Sequence, residues 1–324
     1  MSETNTAHAV TITPKPKKVG FFQKFARQKY LQAMAIPGTI WLIIFCYIPM
    51  FGLVMAFEEY NPFKGFWGSP WVGFAQFQEM FTDDAYWRAL RNSLGMSVLK
   101  MILSAVMPIV FALMMNEVRV TWLKKAVQTV SYLPHFISWV IVAGIFIVFL
   151  DTRGFFADLI KLLGGTPPAM GILMQPDKFY VTMAIIDLWK EVGWGSTIYL
   201  AAITGISPEL YEAAIVDGAG RFRRMWNITL PSIKGTIVIL LIMNVGSMLS
   251  GGHTGSNFSQ SQLFGNALNR EKSEVLDTYT LRMGLQLGRL SFGTAAGLLQ
   301  SIASLMLFSA ANWLSGKISG SSLY

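Results

Sequence analysis

Long apolar runs separated by short polar stretches dominate the chain. Six of them reach or approach the roughly 20 mainly apolar residues that a bilayer-spanning helix needs: about 31–57, 92–116, 129–150, 179–204, 232–250 and 294–314. The pattern predicts an all-α integral membrane fold with six transmembrane helices, and an even count puts both termini on one side. It divides the chain into a polar leader (1–30), a first span with its outer segment (31–91), a core membrane domain (92–315) holding an inner loop at 205–231, and a short tail (316–324).

Composition agrees with a bilayer protein. Apolar residues make up 53% and charged residues only 14%, against about a quarter charged in ordinary soluble domains, and the mean hydropathy is +0.45. Orientation follows from the lysines and arginines, which short cytoplasmic segments carry in excess. Lys15, Lys17, Lys18, Lys24, Arg27 and Lys29 lie in the leader, Arg119, Lys124 and Lys125 follow the second run, and Arg221, Arg223, Arg224 and Lys234 follow the fourth. With six spans these segments share one face, which is therefore the cytoplasmic one, and both termini lie there. The net charge of +8 sits at membrane edges without an aromatic-basic binding module, so nucleic acid is not an expected partner and membrane lipid is. The single cysteine, Cys46, excludes an intrachain disulfide or a Cys-based zinc site. The leader has no apolar core ahead of a small-residue cleavage site, so it is expected to be retained.

The loop between the fourth and fifth runs is the most specific feature. Ser207 can cap a helix, Pro208 suits its first position, and Gly218 and Gly220 permit a sharp turn after Glu212-Ala213-Ala214 and Asp217. A second short helix, Arg221 to Trp226, then leads to Pro231, where the next span is expected to begin. The pattern Glu212-Ala213-Ala214, Gly218, Ile228-x-Leu230-Pro231 resembles at every position the EAA loop of binding-protein-dependent ABC importer permeases. Membership of that family implies a type I importer permease fold in which this loop is the coupling helix that docks on a separate ATPase. Glu212, Ala213, Ala214, Asp217, Gly218, Arg221, Ile228, Leu230 and Pro231 would make the contact; Arg221, Arg223 and Arg224 are equally explained by lipid headgroups.

Further segments are similar to the carbohydrate branch of that family, which includes maltose-type importers. They are Trp71-Val72-Gly73-Phe74 to Phe77, Tyr86-Trp87-Arg88 to Ser93, Tyr132-Leu133-Pro134-His135 with Ser138-Trp139, and Leu188-Trp189-Lys190 with Gly193-Trp194-Gly195. The likeness covers about residues 31–315, and in overall character the chain is similar to alginate-importer permeases. It implies a bacterial inner-membrane protein that imports oligo- or polysaccharide by alternating access. Its partners would be a second, non-identical permease, two ATP-binding subunits and an extracytoplasmic solute-binding protein. No cofactor or metal is expected on this chain, with ATP and magnesium carried by the ATPase: the only Gly-Lys pair, Gly316-Lys317, precedes Ile318 and cannot complete a phosphate loop.

The fourth run carries Asp187, Lys190 and Glu191, charges that at such depth must pair or face water. Asp187 and Lys190 are three apart and can pair on a helix, with Glu191 on the same face. Asp187 and Lys100 each fall ~12 Å below the outer ends of their spans, so a network of Lys100, Asp187, Lys190 and Glu191 is expected, either lining a path or locking two helices. A sugar path needs aromatic planes and neutral polar groups, for which Trp189, Trp194, Tyr199, Asn244, Ser247 and Gln300 are the candidates; Lys100, Lys190, Arg282 and Arg289 are those for an acidic sugar. The segment 251–292 is expected to be a plug-like outer loop or a docking surface, with the Asn257 sequon a chance match. Gly293-x-x-x-Gly297 suggests close helix packing.

Two other classes compete. An ion-coupled secondary carrier could use the same charges, but no inverted repeat is visible. An intramembrane enzyme has little to work with. Its three histidines, His8, His135 and His253, form no Ser-His or metal-ligand spacing, and His135 reads as an interfacial, hydrogen-bonded residue.

Overall fold

The computed structural model describes residues 28–249 and 255–319; most of the leader and Gly251, Gly252 and His253 lie outside them. Two compact units divide between Leu53 and Val54. Helix α1 (Lys29–Phe57) is α-helical over Lys29–Leu42, opens into a π turn at Ile43–Tyr47 and tightens to 3-10 geometry from Ile48. The π turn ends with Ile48 N–H donating to Ile43, five residues back, immediately before Pro49. Proline cannot donate and its ring crowds the preceding turn, and a widened turn accommodates both.

The second unit is a bundle built around α2 (Asp84–Glu117) and α5 (Phe179–Thr204). Around them stand α3 (Thr121–Phe136), α4 (Trp139–Phe149), α6 (Pro208–Val216), α7 (Arg221–Ser232), α8 (Lys234–Gly246), α9 (Ser256–Phe264) and α10 (Leu290–Ser319). Helices α1, α2 and α10 are long and apolar enough to cross a membrane, and α3 with α4 and α7 with α8 qualify as joined pairs bent by 100° and 60°. Helix α5 has 26 residues, about 39 Å. It is long enough to cross, but it carries three charges on an otherwise apolar run.

Helices α2 and α5 run side by side in one direction. A small residue lets them close: a Cβ on Gly95 would lie 3.0 Å from the Tyr180 ring. Three buried apolar clusters follow the pair. Met80, Tyr86, Tyr279 and Phe292 gather at the Asp84 end. Met96, Val142, Met183 and Phe264 fill the middle, and Ala112, Tyr199, Ile203 and Ile233 the far end. At the first of these ends Asp83 caps α2 through its Oδ1 and accepts the Tyr279 hydroxyl on Oδ2 at 2.5 Å. Burial, then this bond, pushes the Tyr279 pKa well above its ordinary value, so the phenol stays a donor.

Several borders differ from the sequence expectation. Helix α2 starts at Asp84 rather than near 92, because Asp83 supplies the cap. The run 129–150 is not one helix. Pro134 turns the chain into a 3-10 segment, Ile137 is extended, and Ser138 starts α4 by accepting the Ile141 amide. The second helix of the loop at 205–231 continues to Ser232, so Pro231 sits in its last turn and the next helix begins at Lys234. A second π turn, Met225–Thr229, ends with Leu230 N–H bonded to Met225 immediately before Pro231, the same device as in α1. Ser207 occupies the cap position of α6 without a side-chain bond.

The segment 251–292 is also not simply an outer loop. Helix α9 buries Ser256, Asn257, Gln260, Ser261 and Phe264 against the bundle. Of the two glycines proposed for close packing, only Gly293 is pressed: a Cβ there would lie 2.7 Å from the Gly284 backbone, whereas one on Gly297 meets nothing within 4 Å. Gly293→Ala is therefore expected to destabilise the detergent-solubilised protein by about 1–3 kcal/mol, with Gly297→Ala within about 0.5 kcal/mol of the parent. Thermal unfolding of the two variants checks this.

Candidate functional site: a charged cleft in the bundle and an exposed helical elbow

A partly open cleft with a cavity volume of about 200 Å³ lies among α2, α3, α5 and α8 and is lined by Lys100, Pro108, His135, Asp187, Glu191, Trp194, Tyr199 and Asn244. Successive residues of a helix are turned by about 100°, so Asp187, Glu191, Trp194 and Ile198 fall on one stripe of α5, and all four face this cleft.

The expected four-residue network is present as two separate pairs. Lys100, only 2% exposed, lies 3.8 Å from Asp187 and donates to Asn257 Oδ1 (2.7 Å) and Ser256 Oγ (3.1 Å). Asn257 in turn donates to Ser97 Oγ, which donates to the Met248 carbonyl. One ammonium thereby ties α2 to α5 and α9. Lys190 does not pair with Asp187; it donates to Glu191 Oε1 (3.1 Å) and to the His135 carbonyl (2.7 Å). His135 completes this node, with Nδ1 at 2.7 Å from Glu191 Oε2 and its ring stacked on Trp194 at 4.6 Å. The proline break in α3 delivers His135 to α5, and Gly193 lets the Ser131 carbonyl approach there.

The other path candidates are divided. Trp194, Tyr199 and Asn244 line the cleft. Trp189, 42% exposed and in contact with Phe146, is turned by about 200° from Asp187 and faces away. Ser247 donates to the Asn244 carbonyl, and Gln300 is buried between the Leu249 carbonyl and Asp277; neither reaches the cleft. Arg282 is forked onto Glu274 and Arg289 is paired with Glu79, both remote from it. Among the described residues no cluster of His, Cys, Asp and Glu could hold a metal.

The elbow is formed by α6 and α7. Helix α6 ends in a Schellman motif: Ala219 N–H donates to Ala214, Gly218 N–H to Ile215, and Gly218 takes φ +74°. Tyr211 and Thr229 hydroxyls meet at 3.0 Å and brace the two helices. Glu212, Ala213, Asp217 and Gly218 are exposed. So are Val216 (87%), Phe222 (85%) and Trp226 (74%), an unusual concentration of bare apolar side chains. Ala214 and Ile228 border a shallow recess between the helices, Leu230 is half-buried, and Pro231 is exposed. Arg221 stands 3.9 Å from Glu117 in an exposed pair, a contact of small energetic weight.

Known proteins are similar to this chain in sequence and fold. Residues 106–320 match the sequence profile described as "Binding-protein-dependent transport system inner membrane component". Among curated relatives, the polygalacturonan/rhamnogalacturonan transport system permease protein YteP of Bacillus subtilis (strain 168) is 42% identical over 314 residues, covering 97% of this chain and 96% of that one. Protein LplB of the same organism is 40% identical over 309 residues, 95% of each chain. A chain in the crystal structure of a bacterial ABC transporter involved in import of the acidic polysaccharide alginate superposes with a TM-score of 0.84 at 39% identity, over 92% of this chain and 99% of that chain. The apolar helical bundle, the matching profile and these near full-length likenesses agree: the chain belongs to the binding-protein-dependent transport system inner membrane components, the membrane permease subunits of ABC importers.

Proposed function

We propose that this permease imports an acidic oligosaccharide, of the uronate-containing kind, by alternating access. The observation that carries the substrate class is that relatives along nearly the whole chain are named for polygalacturonan/rhamnogalacturonan transport or belong to an importer of the acidic polysaccharide alginate. A related chain has also been solved with an alginate pentasaccharide-bound periplasmic protein, which supports a solute-binding protein as partner. In this reading the chain crosses the bacterial inner membrane six times with both termini cytoplasmic, α5 supplying the crossing that composition alone obscures. It pairs with a second, non-identical permease, and two ATPase subunits holding ATP and magnesium drive it. Its domains are the leader (1–30), the first span and outer segment (31–91), the core (92–315) and the tail (316–324).

The elbow around Glu212 is the coupling point. Its exposed Glu212 and Asp217 offer charge, its alanines offer close approach, and Val216, Phe222 and Trp226 supply apolar area for a partner to cover. The cleft lined by Asp187, Glu191, Trp194, Tyr199 and Asn244 is the sugar path, and its aromatic planes and acceptors suit hydroxylated rings. The decisive experiment is uptake by the reconstituted five-component assembly. ATP-dependent accumulation of tetragalacturonate is expected, and accumulation of neutral oligosaccharides alone would refute the substrate class. Gly218→Val forces a β-branched residue into φ +74°, a strain of about 1–2 kcal/mol, and uptake is expected to fall about tenfold. Unchanged uptake would detach the elbow from the power stroke.

A further inference from the structure

The cleft within the bundle is poorly equipped to read negative charge. Its one lysine, Lys100, is committed to Asp187, Asn257 and Ser256, and the remaining charged groups at its wall include two carboxylates, Asp187 and Glu191. A second cavity, of about 190 Å³, has the opposite character. It lies between the end of α9 and the segment from Arg270 to Gln286, and polar or small side chains make its entire wall. Arg270 and Arg282 both line it with Gln262, Ser273 and Gln286, and the one carboxylate among them, Glu274, is 6% exposed. Glu274 is already met by the Arg282 fork at 2.6 and 3.2 Å and by Arg88 at 3.8 Å.

Among the described residues the Arg270 guanidinium meets no carboxylate, so the cavity keeps a surplus of positive charge. The Arg282 fork leaves Nη1 with only a 3.7 Å contact to the Met283 sulfur. Ser261, 5% exposed, lines the same cavity, and its hydroxyl has no hydrogen-bond partner among the described residues. Planar guanidinium groups recognise carboxylates through paired donors, and amides and hydroxyls beside them suit ring hydroxyls.

We infer that this cavity is a second carbohydrate site, selective for a uronate residue, with Arg270 as the carboxylate contact and Arg282 held ready by Glu274. The inference rests on the acidic-oligosaccharide reading above and on the orientation that puts this segment outside the membrane. It divides the recognition: charge is read at the mouth, and ring faces and hydroxyls are read in the bundle.

The test uses the permease–ATPase complex in nanodiscs for binding, the complete assembly in proteoliposomes for uptake, and two probes, tetragalacturonate and its carboxyl-reduced tetragalactose. Arg270→Gln is expected to raise the Kd of the binding-protein-free assembly for tetragalacturonate about tenfold and that for tetragalactose less than twofold. Gln286→Ala, on the same wall, is expected to weaken both modestly. Equal changes for the two probes under Arg270→Gln, or none, would overturn the site. A loss of binding-protein association without sugar would overturn it too, by making the cavity a protein-docking surface. If the parent assembly takes up tetragalacturonate while Arg270→Gln leaves its Kd unchanged, only this inference fails. If the parent takes up neither probe, the functional reading fails with it.

Discussion

Lys100→Met is expected to destabilise the protein by about 3–5 kcal/mol, because Asp187, 3% exposed, would keep a buried charge with no counter-ion. Removing both charges in Lys100→Met/Asp187→Leu should recover most of that loss. A residual deficit of about 1 kcal/mol is expected, since Asn257 and Ser256 would still lack the donor that Lys100 supplies. The charge-swapped pair Lys100→Asp/Asp187→Lys should not recover. An aspartate at 100 cannot donate to Asn257 Oδ1, and the exchanged carboxylate would face that acceptor oxygen instead. Chemical or thermal unfolding of the three variants and the parent in one detergent decides it. A neutral double variant as unstable as Lys100→Met would show that the lysine acts mainly through α9 and not through the ion pair.

Position along a helix is legible in the sequence by counting, whereas the face a residue occupies needs the 100° step as well. Lys100 and Asp187 were matched by counting residues from the ends of their spans, and they do meet. The same count proposed Trp189, which the 100° helical step turns away from the cleft, while the stripe 187, 191, 194 and 198 carried the correct face all along. His135 is hydrogen-bonded, as its sequence position suggests, but its partner Glu191 lies 56 positions away and no local pattern names it. Helix α9 was missed for a different reason. Its sequence, Ser256-Asn257-Phe258-Ser259-Gln260-Ser261-Gln262, has no apolar stripe, and hydrogen bonds from Asn257 and Gln260 join the buried Phe264 in holding it to the bundle. The break between α3 and α4 lies in a mainly apolar run, where Pro134 and Ser138 mark it.

The second large effect is expected at Gly193, where the α3 and α4 elbow presses on α5. A Cβ on Gly193 would overlap the carbonyl and Cβ of Ser131, and most of what it strikes is backbone. No rotamer change relieves such a clash, so even Gly193→Ala must push the end of α3 outward. That displacement would pull the His135 carbonyl from Lys190 and the His135 ring from Glu191 and Trp194, three contacts that hold the elbow against the cleft wall. Overpacking of this kind costs about 3 kcal/mol, and freeing Lys190 and Glu191 from their partner adds to it. Gly195→Ala is the matched control two residues away. Its added methyl would meet the Pro108 ring at 3.4 Å, an ordinary contact, and stability and uptake should stay near those of the parent. The two variants add the same single carbon to the same helix, so a difference between them isolates the approach of the elbow. Should Gly193→Ala match Gly195→Ala in unfolding temperature and in uptake, the elbow is free to move at no cost, and the His135 node cannot be what holds it.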